Sequence, residues 1–132
     1  MPDLASIHHI SLTVTDLDRS VAWYKDVLGL AELMREDHPD ATGYAIVLGK
    51  PDFSMCVGLH THPTNESEPC DETRTGLDHV SFGVAQRADL DTWAEHFHKL
   101  NEFQSPINDQ EGYAVLVFRD PDNIQLELIS MG

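Results

Sequence analysis

The chain has 132 residues, 41% of them hydrophobic, which is enough for one domain with a single buried core. Its 23 acidic and 8 basic residues give a formal net charge of −15, which favours solubility and disfavours nucleic-acid and membrane partners. No stretch approaches the ~20 apolar residues of a membrane span, no signal peptide is evident, and two cysteines are too few for a disulfide framework. We therefore expect a cytoplasmic protein with reduced cysteines.

Two stretches of the chain, 7–14 and 77–84, carry nearly the same pattern. A histidine stands at the third position of each, and His79 follows His9 by 70 positions. After each histidine, large apolar residues alternate with small or polar ones, as in a strand buried on one face. The pattern predicts that both histidines lie on the polar face of equivalent strands. One such histidine alone is more often structural than a ligand, but its repetition favours a ligand.

The elements that follow each of these strands also repeat. Capping side chains precede a predicted helix over 21–28, which Gly29 ends, and Asp89 opens a second predicted helix that runs to Leu100. Further strands are predicted, in chain order, at about 31–35, 43–48, 53–61, 112–118 and 124–130. The sequence therefore predicts an α+β fold made of two copies of one unit: a strand, a helix, then two or three strands.

The segment 63–75 separates the two copies. It is acidic, rich in Pro, Ser and Thr, and nearly free of large apolar side chains, so it is predicted to be a mobile linker. The expected organisation is one domain over 1–132, with a first module at about 5–62 and a second at about 76–132.

A carboxylate joins the histidines on the polar face. Alternation in the last strand puts Ile124, Leu126 and Leu128 in the core, so Glu127 points the same way as the histidines. A carboxylate in a central strand is poorly explained by solvation alone. Two imidazoles and one carboxylate can hold a divalent ion with positions left open for water or substrate. Iron, manganese, zinc, cobalt and nickel all suit such a site, for Lewis-acid chemistry or oxygen activation.

Other polar residues near these strands admit two interpretations. Ser11 and Thr13, beside His9, can hydrogen-bond a substrate oxygen or simply leave room for it. His60 and His62 share a strand face and can bind metal or act as a general base, although a solvated loop start is the more common role for such residues. His8 is expected to face away from His9.

In these motifs the chain resembles a small member of the vicinal oxygen chelate superfamily, which includes glyoxalase I, bleomycin resistance proteins and extradiol dioxygenases. The resemblance rests on "HHISLTV", "DLDRSVAWYKDVLGL", "GLDHVSFGV" and "RDPDNIQLELI". It implies paired βαβββ modules that form a curved sheet around a metal cleft, with ligands at His9, His79 and Glu127. It also implies a homodimer, in which a site can combine modules of different chains.

One position departs from the glyoxalase I pattern. That pattern has a fourth ligand, a glutamate, on the last strand of the first module, where this chain has Gly58 or, if the turns are matched instead, Val57. A three-ligand site is therefore expected, as in extradiol dioxygenases or fosfomycin-modifying transferases. The former are usually longer, and the latter use basic residues for a phosphonate, which 101–111 does not offer.

Two functions follow from the resemblance. The first is a metal-dependent lyase, isomerase or dioxygenase, in which Glu127 and Ser11 act on a small-molecule substrate that chelates the ion through neighbouring oxygens. The second is a metal-free protein that binds a drug or metabolite, as bleomycin resistance proteins do. Because those binders generally lack the ligand triad, its presence here favours the enzyme.

Overall fold

The computed structural model describes all residues from Met1 to Gly132, in two compact units. Unit 1 (Met1–Glu68) contains β1 (Ile10–Thr13), α1 (Leu17–Leu28), β2 (Ala31–Asp37), a short 3-10 helix (Pro39–Ala41), β3 (Tyr44–Gly49) and β4 (Cys56–Thr61). Unit 2 (Pro69–Gly132) contains β5 (His79–Val84), α2 (Arg87–Lys99), β6 (Asn108–Gln110), β7 (Tyr113–Arg119) and β8 (Gln125–Ser130). Neither helix is long and apolar enough to cross a membrane.

Each unit has one four-stranded sheet with the same strand order. The orders are β1-β4-β3-β2 and β5-β8-β7-β6. The first strand of each unit runs parallel to the last, and the other pairs are antiparallel. The predicted α+β fold of two equivalent units is confirmed. Because β8 lies between β5 and β7, the strand that carries Glu127 is central, as expected.

The register of the parallel pairs shows that the two units are equivalent residue by residue. Ser11 of β1 is opposite Gly58 of β4, and Ser81 of β5 is opposite Glu127 of β8. The two serines are 70 positions apart, which is the separation of the two histidines. His9, just before β1, and His79, at the start of β5, therefore hold equivalent places.

Both helices begin earlier than predicted because their caps lie further upstream. The side chain of Asp16 accepts a hydrogen bond from the Arg19 backbone N–H at 3.1 Å, so α1 starts at Leu17. In α2, Gln86 and Asp89 form a capping box, which puts Asp89 at the third helical position rather than the first. Gly29, in the left-handed region at φ 69°, ends α1 as predicted.

Each helix covers one face of its own sheet. The rings of Phe97 in α2 and Phe118 in β7 are 4.7 Å apart, and both side chains are fully buried. In unit 1, Tyr24 and Val27 of α1 are buried in the core with Leu59 of β4. We call the side of each sheet that its helix covers the helix face, and the opposite side the open face.

Two strand predictions differ from the structure. β4 begins at Cys56 rather than at residue 53, because Phe53 adopts φ 60° and closes a turn in which its N–H donates to the Lys50 carbonyl at 2.8 Å. β6 (Asn108–Gln110) was not located from sequence, since its three exposed polar residues carry no apolar pattern.

The second half of the predicted linker is fixed to unit 2. The Cys70 N–H donates to the Asp122 carbonyl at 2.7 Å, and the Asn123 side-chain amide donates to the Cys70 carbonyl at 3.0 Å. Both cysteines, Cys56 and Cys70, are free. Burial, followed by the charge of Asp120, raises the pKa of the Cys70 thiol and so disfavours the thiolate.

Gly43 offers a test of the tight loop that precedes β3. At Gly43 φ is +119° and an added Cβ would lie 2.1 Å from the Thr61 carbonyl oxygen, whereas at Gly112 φ is +86° and the space is open. Gly43→Ala is therefore expected to reduce the free energy of unfolding by about 2 kcal/mol more than Gly112→Ala, since overpacking adds to the shared backbone strain. Urea unfolding of both variants measures the difference, and equal losses would contradict the structure of this loop.

Candidate metal site

His79 and Glu127 lie on the open face of unit 2. Residues opposite each other in a parallel pair point to the same side, so Ser81 and Glu127 share a face, and His79 lies two residues before Ser81 on that face. The neighbours of Glu127 in β8, Leu126 and Leu128, are buried on the helix face. The structure thus places two of the three predicted ligands on the same face of one sheet.

Hydrogen bonds orient both side chains. Ser81 Oγ donates a hydrogen bond to Glu127 Oε1 at 2.7 Å. The other carboxylate oxygen, Oε2, does not take part in this hydrogen bond. His79 Nδ1 is 2.6 Å from Asp78 Oδ1, and because an ionised carboxylate only accepts, Nδ1 carries the proton. The Nε2 lone pair of His79 is then available. A carboxylate behind a histidine is the usual arrangement around a metal-bound imidazole, so these donors fit a divalent ion.

The third predicted ligand, His9, belongs to unit 1. It is exposed and immediately precedes β1, two residues before Ser11. His8 Nδ1 lies 2.9 Å from His9 Nδ1, so the expectation that His8 faces away was wrong. Strand alternation does not apply to this pair because both residues precede β1.

Gly58 occupies the unit 1 position that corresponds to Glu127. It is opposite Ser11, as Glu127 is opposite Ser81, which selects Gly58 over Val57 as the counterpart of a fourth ligand. An added Cβ at Gly58 would be 2.7 Å from Ser11 Oγ and 3.1 Å from His60 Nε2. These two side chains therefore fill the space that a longer residue at position 58 would need.

Sequence reasoning missed one histidine beside this face. His38 lies in the loop after β2, and its Nε2 is 2.8 Å from Nδ1 of His60. His62 stacks on the His38 ring with the centroids 4.9 Å apart. No periodicity could reveal this contact, because the residues are 22 positions apart and one of them lies in an irregular loop.

The comparison with known families decides the relationship. The model of the Glyoxalase/Bleomycin resistance protein/Dioxygenase superfamily matches residues 6–128. The chain belongs to this superfamily. The resemblance to vicinal oxygen chelate proteins is thereby confirmed.

Relatives within the superfamily carry different chemistries. A solved glyoxylase/bleomycin resistance protein/dioxygenase domain from Frankia sp. EAN1pec is 35% identical, with a TM-score of 0.87, over 98% of this chain and 94% of that one. A probable lactoylglutathione lyase from Synechocystis sp. is 28% identical, over 92% of each chain. The metallothiol transferase FosB from Staphylococcus saprophyticus is 26% identical, over 95% of this chain and 76% of the relative. Superfamily members thus include metal-dependent enzymes of more than one reaction type.

One cation of this glyoxalase-superfamily chain shares the open face with Glu127, but its charge is balanced. Arg119 in β7 is opposite Gln125, whose Oε1 accepts from Arg119 Nη2 at 3.0 Å. The same guanidinium binds both carboxylate oxygens of Glu72, at 2.7 and 3.1 Å. This bidentate pair occupies Arg119, which is therefore not free to hold an anionic group of a substrate.

The Glu72–Arg119 pair predicts a specific pH dependence. Hydrogen bonds from Arg119 lower the pKa of Glu72 from 4.5 to about 2. Because this folded-state pKa is depressed, the ionised carboxylate stabilises the fold above about pH 4.5, and the contribution is lost as pH falls toward 2. Glu72→Gln should lower the midpoint of urea unfolding at pH 7. The difference between the midpoints of parent and variant should shrink as the pH falls from about 4.5 toward 2.

The exposed Glu66, in the first half of the predicted linker, provides the matched control. Glu66→Gln should follow the parent at every pH. If the urea midpoint of Glu72→Gln stays below that of the parent by the same amount from pH 5 to about 2, the ion pair does not fix this segment.

Proposed function

We propose that this chain is a metal-dependent enzyme that acts on a small substrate whose two neighbouring oxygens chelate the ion. The proposed ligands are His9, His79 and Glu127. The observation that carries the proposal is the open face of unit 2, which His79 and Glu127 share. His79 is oriented by the hydrogen bond that it donates to Asp78, and Glu127 by the one that it accepts from Ser81. Membership of a superfamily with metal-dependent enzymes supports it.

The protein groups divide the work of binding and orientation. Asp78 holds the proton on His79 Nδ1, which keeps the Nε2 lone pair directed outward. Ser81 fixes Oε1 of Glu127, so the negative charge of this carboxylate can act at Oε2. A divalent ion, when bound, would supply Lewis-acid polarisation of the substrate oxygens. Iron, manganese, zinc, cobalt and nickel all accept this donor set.

Ser11 and Glu127 are the proposed catalytic residues. The Glu127 carboxylate can take up or return a substrate proton when Oε2, the oxygen that Ser81 does not hold, is not bound to the ion. Ser11 lies opposite Gly58 on the open face of unit 1, where its hydroxyl can donate a hydrogen bond to a substrate oxygen. In this scheme Ser11 orients an oxygen of the substrate and Glu127 handles its proton.

The pairing of Arg119 on the open face of unit 2 disfavours a phosphonate substrate. A phosphonate needs a free cation, but Arg119 is already bound by Glu72. We therefore favour lyase, isomerase or dioxygenase chemistry on a substrate with adjacent hydroxyl or carbonyl oxygens. A metal-free drug- or metabolite-binding function, the alternative, does not explain why Asp78 and Ser81 orient the two side chains proposed as ligands.

A site with all three ligands combines one unit 1 and one unit 2, from a single chain or from two chains. We propose a homodimer, because β1 and β5 are both unpaired edges of their sheets and edge strands favour association. Light scattering at tens of micromolar, roughly where an obligate interface is saturated, should give twice the mass of the chain. The mass of a single chain would count against the proposal.

Metal-dependent stabilisation tests the proposed site. Mn²⁺ is the probe, since it favours sites with a carboxylate ligand over clusters of imidazole alone. An ion that binds only the folded state adds about 2.7 kcal/mol at one hundred times its dissociation constant, so saturating Mn²⁺ should raise the melting temperature of the parent. Glu127→Gln should lose most of this gain, while its stability without metal should change little.

The exposed Glu111, before β7, is the matched control, and Glu111→Gln should keep the full Mn²⁺ response. Calorimetry that finds the same Mn²⁺-dependent gain in the parent and in Glu127→Gln would refute the ligand set.

A further inference from the structure

Three histidine side chains of unit 1 converge at one end of β4. We call His38, His60 and His62 the histidine cluster. Their ligand nitrogens all lie within 4.8 Å of one another. The centroids of the His38 and His60 rings are 5.1 Å apart with an interplanar angle of 17°, and those of His38 and His62 are 4.9 Å apart with an angle of 26°. His38 and His60 are half-buried and His62 is exposed, so an ion can reach the cluster from solvent.

A strained loop places His38 in the cluster. Asp40 and Ala41 adopt φ values of 56° and 55°, in the left-handed region that non-glycine residues rarely occupy. The His38 N–H donates to the Gly43 carbonyl at 2.8 Å and closes the loop. An added Cβ at Gly43 would be 3.0 Å from His38 Nδ1, so glycine is needed for this close approach. Such strain is typical of functional sites.

The hydrogen bonds of the cluster leave nitrogen lone pairs available. His38 Nδ1 is 3.3 Å from the Thr42 carbonyl, which only accepts, so Nδ1 carries the proton and Nε2 has the lone pair. His60 Nδ1 is 2.8 Å from that Nε2 and donates to it when no ion is bound. A backbone carbonyl behind a histidine orients it in the same way as the carboxylates found around metal sites. Burial, followed by the neighbouring His38 and His62, lowers the pKa of His60, which favours the neutral form of this ring.

The fold itself does not require histidines at these places. By the register that matches Gly58 to Glu127, His60 corresponds to Ile129 and His62 to Met131 in unit 2. Unit 2 forms the same sheet with apolar residues at and just beyond the end of β8, so the cluster is particular to unit 1. This makes a purely structural role the weaker explanation of the cluster.

We propose that His38, His60 and His62 bind a divalent transition-metal ion at a second site, separate from the ligand set of His9, His79 and Glu127. Three neutral imidazoles suit zinc, nickel, copper or cobalt and leave a fourth tetrahedral position for water. With Zn–N bonds of about 2.0–2.1 Å, two ligand nitrogens lie about 3.3 Å apart. The three rings are nearly parallel, so they must rotate about their side-chain bonds for their lone pairs to meet at one ion. The proposal uses residues of unit 1 alone and does not depend on the proposed function.

Zinc binding to the full chain tests this site. After removal of metal with a chelator, equilibrium dialysis and calorimetry with Zn²⁺ should give about two ions per parent chain. His38→Ala/His62→Ala should bind about one, and Glu127→Gln should keep the cluster ion. His96→Ala/His98→Ala, which removes two histidines from α2, is the matched control and should bind like the parent. Melting temperatures without metal show that the variants are folded.

Each remaining outcome has a distinct meaning. Unchanged zinc binding in His38→Ala/His62→Ala would overturn the second site, as would an equal loss in the α2 control. If the double variant loses an ion while Glu127→Gln loses none, the second site stands and the proposed catalytic ligand set fails. Zinc-induced shifts of the His38 and His62 imidazole resonances should accompany binding of the cluster ion.

Discussion

The parallel pairing of the first and last strands in each unit is the constraint on which the rest of the structure depends. In unit 2 a slip of one residue would turn Glu127 to the helix face and expose Leu126 and Leu128. These leucines are only 0% and 3% exposed, and burying a leucine stabilises a fold by about 1.5–3 kcal/mol. The apolar side of β8, rather than any functional group, therefore fixes the position of the carboxylate.

The two units share the same pairing of first and last strands but carry different side chains on their open faces. Where unit 2 has Ser81 beside Glu127, unit 1 has Ser11 beside Gly58, and the Gly58 position lets the His60 ring approach the sheet. Unit 2 thus offers a carboxylate with one oriented histidine, and unit 1 offers mainly imidazoles. Both arrangements are additions on the open faces, where side chains are free to vary because the helix faces contain the core.

Much of this arrangement could be predicted from sequence, for physical reasons that differ between residues. The faces of Glu127 and His79 follow from alternation, which burial enforces, and the central position of β8 follows from the repeat. His38 could not be predicted, because its position depends on the left-handed conformations of Asp40 and Ala41, which no periodicity signals. The contact between His8 and His9 was missed because it lies outside the strand.

The central claim is that His9, His79 and Glu127 together hold a catalytic metal ion. Anomalous diffraction from crystals grown with Mn²⁺ tests it most directly. The account predicts a peak within about 2.2 Å of His79 Nε2 and a Glu127 oxygen, with His9 of the same or a second chain as third ligand. A Mn²⁺-saturated crystal in which His79 and Glu127 contact no ion would contradict it.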